Sequence, residues 1–301
     1  MSDKWLTRSL WITALRLWKE AEKRGEKLGR YKLSDALQIT EARARLLVAM
    51  LENQPILKLE PQEYKVERKE LIIADLHIPY HDELAVETAL SVGEEENVST
   101  ITILGDLLDL YKNSHFPKNP EKKNVKDEIT EAKQFLKELR NRFPKARIIY
   151  YEGNHEVRMQ RYLWKRAPEI YALIENLLPN ILELEKLGIE WVTDPFRIGK
   201  LWHLHGHEKH SRGNPLYITN VFMRIILDHF ICGHFHRKEE KVFKRIDGSE
   251  LWAGVVGMLA TPEALEYAKI NDFTQGFAVI NYMNNGFFKA RIHTIKDGEV
   301  F

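Results

Sequence analysis

The stretch Leu71-Ile72-Ile73-Ala74-Asp75-Leu76-His77 is a short apolar, largely β-branched run that stops at an Asp-x-His pair. The run reads as a buried strand, and the pair as a polar cluster at its carboxyl end. The same arrangement recurs four times. Ile101 to Leu104 leads to Gly105-Asp106, and Ile148 to Tyr151 leads to Gly153-Asn154-His155-Glu156. Leu201 to Leu204 leads to His205-Gly206-His207, and Phe230 to Cys232 leads to Gly233-His234-Phe235-His236. In layered α/β folds the loops that follow the strands emerge along one edge, so ligands gather there. Five strand-end clusters can therefore converge on one site.

The donors suit a pair of divalent cations. Carboxylate, amide oxygen and imidazole fit Mn, Fe, Zn, Co or Ni, and with one cysteine in the chain no thiolate cluster competes. Asp106 has two oxygens with which to bridge ions roughly 3.5–4 Å apart, as in two-metal hydrolases. A single His or Asp at a strand end is more often a hydrogen-bonded structural residue. Five such clusters in series point to metal.

Taken together, Asp75-x-His77, Gly105-Asp106-x-x-Asp109, Gly153-Asn154-His155-Glu156, His205-Gly206-His207 and Gly233-His234-x-His236 resemble the motif set of the calcineurin-like metallophosphoesterases. The resemblance covers residues 68–301. Within it, Gly105 to Tyr111 and Gly153 to Arg158 resemble the branch found in bacteriophages and prophages. It implies a four-layer α/β/β/α sandwich and two divalent ions, manganese before iron, zinc, nickel or cobalt. It further implies one ion on Asp75, His77, Asp106 and His236, and the other on Asp106, Asn154, His205 and His234. A hydroxide shared by the ions would attack phosphorus, with His155 protonating the leaving group. Asp109 would orient the loop or a ligand histidine. Among the crowded His203, His205 and His207, the family pattern favours His205 as ligand, with His207 as second choice and a substrate contact. His203 reads as a core histidine and His210 as a surface one. Glu156 stands where many relatives have Asp.

Composition fits a cytoplasmic enzyme of a bacterium, archaeon or phage-infected cell. At 301 residues and 44% apolar content the chain can bury a large core, and a net charge of +1 supplies no global pull toward nucleic acid or membrane. No run approaches the ~20 apolar residues of a membrane helix. The lone Cys232 excludes an intramolecular disulfide.

Residues 1–60 read as a separate all-α domain. Trp5, Leu6, Leu10, Trp11, Ala14, Leu15, Leu17, Trp18 and Ala21 recur at helical spacing, and a short helix around Ser34 to Leu37 precedes a third capped by Thr40. Lys32 to Leu51 resembles a helix-turn-helix in outline. Arg43 and Arg45 would then meet DNA. Basic residues exceed acidic ones here by only four, twelve against eight, and the tryptophans equally suit packing onto the catalytic domain or a second subunit. A linker is expected from Glu52 to Arg68, through Pro55 and Pro61.

Tyr111 to Asp127 carries Lys112, Asn113, His115, Lys118, Lys122 and Lys123, a loop that either faces phosphate or is simply solvated. Asn113 and His115 are its candidate substrate contacts. Arg158 is placed to grip substrate phosphate bidentately, whereas Arg161 and Lys165 read as solvent-facing. Tyr162 to Leu187 reads as helical segments broken at Pro168 and Pro179, and the C-terminal part as strands with a hairpin at Asn284-Asn285-Gly286. The substrates expected are nucleotides or nucleic-acid ends. A protein serine/threonine phosphatase and a non-enzymatic DNA-associated regulator are the alternatives, since a fold does not choose a substrate.

Overall fold

Leu71 and Ile73 on one side of a strand, and Ile72 and Ala74 on the other, enter two different apolar cores. This alternation makes the strand the wall between two layers. The computed structural model describes residues 8–52, 65–115, 119, 122–174, 176–209, 216–262 and 272–301. Trp5, Leu6, Pro55, Pro61, Lys118 and His210 lie outside them. The chain forms two compact units, Met1–Glu63 and Tyr64–Phe301.

In the first unit, α1 (Arg8–Lys23), α2 (Arg30–Leu37) and α3 (Glu41–Glu52) enclose Ala14, Leu33, Ala44, Leu47 and Leu51, with Trp11 and Trp18 packed against them. The turn between α2 and α3 passes through Gln38 at φ 51°, whose amide reaches the Asp35 carbonyl while that of Ile39 reaches Ser34. Arg43 and Arg45 are exposed at the start of α3.

The second unit runs β1 (Val66–Ile73), α4 (Glu83–Glu95), β2 (Thr100–Ile103), α5 (Val125–Arg142), β3 (Arg147–Tyr151), α6 (Glu156–Arg166), α7 (Pro168–Tyr171), α8 (Leu177–Ile181) and β4 (Ile189–Val192). It continues β5 (Phe196–Ile198), β6 (Leu201–Leu204), α9 (Ile218–Ile226), β7 (Phe230–Cys232), β8 (Glu239–Lys244), β9 (Glu250–Val255), β10 (Gly276–Met283), β11 (Phe288–Lys296) and β12 (Glu299–Val300). A seven-stranded sheet has the order β12-β11-β10-β1-β2-β3-β4, and a five-stranded sheet the order β5-β6-β7-β9-β8. Helices α4 and α5 cover the outer face of the first, with Ala85, Val86, Ala89, Leu90, Ala132, Phe135, Leu136 and Leu139 in one core with β1 and β2. Ile72, Ile149, Tyr151, Leu201, Ile231 and Ile280 fill the space between the sheets. Phe222 and Met223 of α9 close the far side over Phe230 and Val255. This is the four-layer α/β/β/α sandwich. Each fully buried Leu or Ile contributes about 1.5–3 kcal/mol to it.

Strands β1, β2, β3 and β4 pair in parallel, as do β6, β7 and β9. Two expectations change. The linker does not reach Arg68, because Val66 already pairs with Met283 of β10. Pro179 does not break a helix; it falls in the first turn of α8, where a missing N–H costs nothing.

Candidate metal centre

The carboxyl ends of β1, β2, β3, β6 and β7 deliver Asp75 and His77, Asp106, His155, His205, and His234 and His236 to one place, with Asn154 directly before His155 in the chain. Three donor groups form there among the described residues: Asp75-His77-His236, Asp106-His205-His234 and His77-Asp106-His155. His77 Nε2 and His236 Nε2 are 3.1 Å apart, and His236 Nε2 lies 3.4 Å from Asp75 Oδ1. His205 Nε2 lies 3.2 Å from Asp106 Oδ2 and 4.0 Å from Asp75 Oδ1, which ties the groups together.

The backbone is bent to bring these donors inward. Asp75, His77, Asp106, His234 and His236 all have φ between 49° and 68°, the left-handed region that Asp and His tolerate better than most residues. Concentration of such residues is typical of functional sites. Glycines give the remaining room. A Cβ on Gly105 would stand 2.3 Å from His205 Nδ1, and one on Gly153 would stand 2.2 Å from Asp106 Oδ1.

Two glutamates hold the ligand loops by their amides. Glu156 accepts from Asp106 N at 3.0 Å, Gly153 N at 2.9 Å and Leu108 N at 3.1 Å. Glu208 accepts from His205 N at 2.9 Å and Gly206 N at 2.7 Å. Sequence reading singled out neither for this work. The trace they leave is spacing: Glu156 stands three residues after Gly153 and Glu208 three after His205, the distance at which a Glu reaches back to a backbone amide in a capping box.

Asp75 Oδ1, Asn154 Oδ1 and His205 Nε2 are buried without a hydrogen-bond partner. Unpaired buried polar atoms are rare and costly, and three on neighbouring loops mark a place built for a ligand. Burial works against the charge of Asp106, yet His155 and His205 hold its carboxyl well below the usual range. Burial likewise depresses His205, but Asp106 and Asp75 overcome it and push it up to about 10. The site attracts positive charge. Oxygen and nitrogen donors so arranged fit divalent cations of the manganese-to-zinc series.

His155 is buried at the edge of this group. Its Nδ1 lies 2.9 Å from the Asp109 carbonyl and 3.0 Å from Asp109 Oδ1, while Arg158 Nη2 reaches its Nε2 at 2.6 Å. With Arg158 donating to Nε2, the ring proton sits on Nδ1 and faces Asp109. Asp109 Oδ1 is also 3.4 Å from His77 Nδ1, so one carboxylate sits beside both rings. Arg158 Nη1 donates to the Asp109 carbonyl at 2.8 Å. Here the arginine is spent on the protein's own groups. His207 is half-buried, 5.4 Å from His205 between ring centroids, with Nδ1 unpartnered. Asn113 is half-buried and His115 exposed, the latter in none of the donor groups. Lys112 donates to the Asn119 carbonyl and Lys123 pairs with Glu131. His203 sits in the intersheet core against Glu70 at 3.1 Å.

Residues 69–238 match the family profile of the calcineurin-like phosphoesterases. The chain belongs to that family. Solved structures similar to this calcineurin-like chain include vacuolar protein sorting 29 from Cryptosporidium parvum, 15% identical, TM-score 0.43, covering 78% of this chain and 94% of that one. Another is YfcE, a phosphoesterase from E. coli, 16% identical, TM-score 0.36, covering 74% and 98% respectively. A dimetal phosphatase from Danio rerio is 11% identical, TM-score 0.34, covering 76% and 96%. No curated protein sequence matches. No helix among the described residues is long and apolar enough to cross a membrane.

Proposed function

We propose that this calcineurin-like chain is a dinuclear-metal phosphoesterase acting on nucleotides or nucleic-acid ends. The observation that carries the reading is the pair of adjoining donor groups, Asp75-His77-His236 and Asp106-His205-His234, in which Asp75 Oδ1 and His205 Nε2 have no hydrogen-bond partner. Asp75, His77, Asp106 and His236 would hold one cation, and Asp106, Asn154, His205 and His234 the other, manganese first. Bound there, such cations lower the pKa of a coordinated water and neutralise charge on phosphate oxygens. His155, held by Asp109 through Nδ1, would give the leaving group a proton from Nε2, which requires that nitrogen to be protonated and Arg158 to release it. His155→Ala is expected to slow turnover by about 10²–10⁴-fold while both cations remain bound, read by steady-state kinetics and metal analysis.

The substrate class rests on the helical unit that precedes the catalytic one, since Lys112 and Lys123 after Asp109 are engaged within the protein. An assay with Mn²⁺ against p-nitrophenyl phosphate, bis-p-nitrophenyl phosphate, nucleotides, DNA ends and a phosphopeptide tests it. Rapid turnover of the phosphopeptide alone would transfer the reading to a protein phosphatase. Turnover of none would transfer it to a DNA-associated regulator.

A second role, DNA delivery by the helix-turn-helix-like unit, is favoured by the tight left-handed turn at Gln38 and by the exposure of Arg43 and Arg45 at the start of α3. Replacing both by Ala in the full chain should weaken duplex binding about tenfold. It should also flatten the salt dependence by about two counterions, measured by fluorescence anisotropy. Unchanged affinity assigns the unit to packing within the chain or against a second subunit.

A further inference from the structure

Tyr150 and Tyr151 are consecutive on β3, so their side chains leave opposite faces of the seven-stranded sheet. Tyr150 enters the core beneath the helices and Tyr151 the core between the sheets. Both are fully buried. Each hydroxyl then donates to one of the glutamates that grip a ligand loop: Tyr150 to Glu156 at 2.8 Å, and Tyr151 to Glu208 at 2.5 Å. One strand thus seats two clamps, one on each side.

The clamps do not hold equivalent loops. Glu156 takes the amide of Asp106, the residue common to both proposed cation positions. Glu208 takes the amides of His205 and Gly206. His205 serves only one of those positions. Bonds from amides to a carboxylate are about twice as strong as neutral ones, so these contacts fix the loop more firmly than an ordinary turn would. The Tyr151 hydroxyl occupies the same Glu208 oxygen that receives the His205 amide, and so sets where that oxygen stands.

We infer that Glu208, seated by Tyr151, is a positioning residue that sets the affinity of the cation position built from Asp106, Asn154, His205 and His234, independently of the other position. This rests on the dinuclear reading above. Partners that orient metal ligands typically change metal affinity by about 10–100-fold when removed. A support for the fold alone would lower thermal stability and leave cation affinity untouched.

The test is calorimetric titration of Mn²⁺ into the chelator-stripped full chain, with melting temperatures recorded in parallel without metal. Wild type should bind two Mn²⁺. Glu208→Ala should weaken one of them about 10–100-fold, and Tyr151→Phe about tenfold, each leaving the other ion within about twofold. Equal weakening of both ions, or a lower melting temperature with both affinities intact, overturns the inference. If Glu208→Ala does not fold, Tyr151→Phe removes only a hydroxyl and decides alone. Wild type binding fewer than two Mn²⁺ would instead sink the dinuclear reading, before any variant is made.

Discussion

His203 and His205 stand two residues apart at the end of one strand, both fully buried and both beside carboxylates, yet their surroundings differ in kind. His203 Nε2 meets Glu70 at 3.1 Å, and Glu70 is also held by the Thr102 and Tyr282 hydroxyls, each at 2.5 Å. His205 Nδ1 meets the Leu104 carbonyl at 2.7 Å, but its Nε2 has no hydrogen-bond partner although Asp106 and Asp75 are close. The first cluster is complete in itself and bolts the two sheets together. The second turns a buried ring nitrogen toward two carboxylates that serve other donors as well. Polar burial with all partners present is architecture, whereas polar burial short of partners on several converging loops marks a binding site.

Substitutions can break that distinction. Asp106→Asn removes the charge proposed to serve both cation positions, so metal analysis should find less than one tightly held ion per chain and activity should fall by more than about 10³-fold. Retention of two ions would show that Asp106 is not shared. Glu70→Gln should do the reverse, costing on the order of 3 kcal/mol in denaturant unfolding while cation stoichiometry stays the same. A loss of metal in that variant would mean that the two clusters are coupled through β6.

The smallest effect concerns a third buried group. Glu128 on α5 is fully buried, neither carboxyl oxygen has a close hydrogen-bond partner, and burial together with nearby Asp109 pushes it up to about 8, partly offset by the amides of Leu110 and Tyr111. A carboxyl raised in the fold binds its proton more tightly there than in the unfolded chain. The stability it contributes is therefore complete below its ordinary value of 4.5 and is lost as pH rises through about 8. Between pH 6 and 9 wild type should lose about 1–3 kcal/mol that Glu128→Gln keeps, seen as a shallower fall of melting temperature with pH. Parallel curves would show that Glu128 is already ionised at pH 6.

The donors were legible because each ends a short apolar run, and strands β1, β2, β3, β6 and β7 lie within a few residues of those runs. Glu128 carried a signal too: it falls on the stripe of Ala132, Phe135, Leu136 and Leu139, where a charge is out of place. Other elements were hidden for physical reasons. Helix α9 is built from Ile218, Thr219, Val221, Ile225 and Ile226, residues that favour strands. Its first amides are received by Glu239 of β8, at 2.8 Å from Ile218 and 3.1 Å from Thr219, a tertiary contact that overrides local preference. Strand β8 is an exposed sheet edge rich in Glu and Lys, so it shows little apolar alternation. The engagement of Arg158 with His155 and the clamps on β3 depend on which faces meet, and one-dimensional spacing does not encode that.

The left-handed backbone at Asp75, His77, Asp106, His234 and His236 bears on how this centre is dissected. Each of these residues already carries a Cβ that crowds its own carbonyl, at a cost of roughly 1–2 kcal/mol, and alanine would remove the donor while keeping that strain. A glycine scan would instead mix lost chemistry with a slackened rim. Asparagine settles into that conformation readily but leaves in the site an amide oxygen of the kind Asn154 offers, so a scan written in alanine, with asparagine beside it as the backbone control, separates lost donors from lost shape.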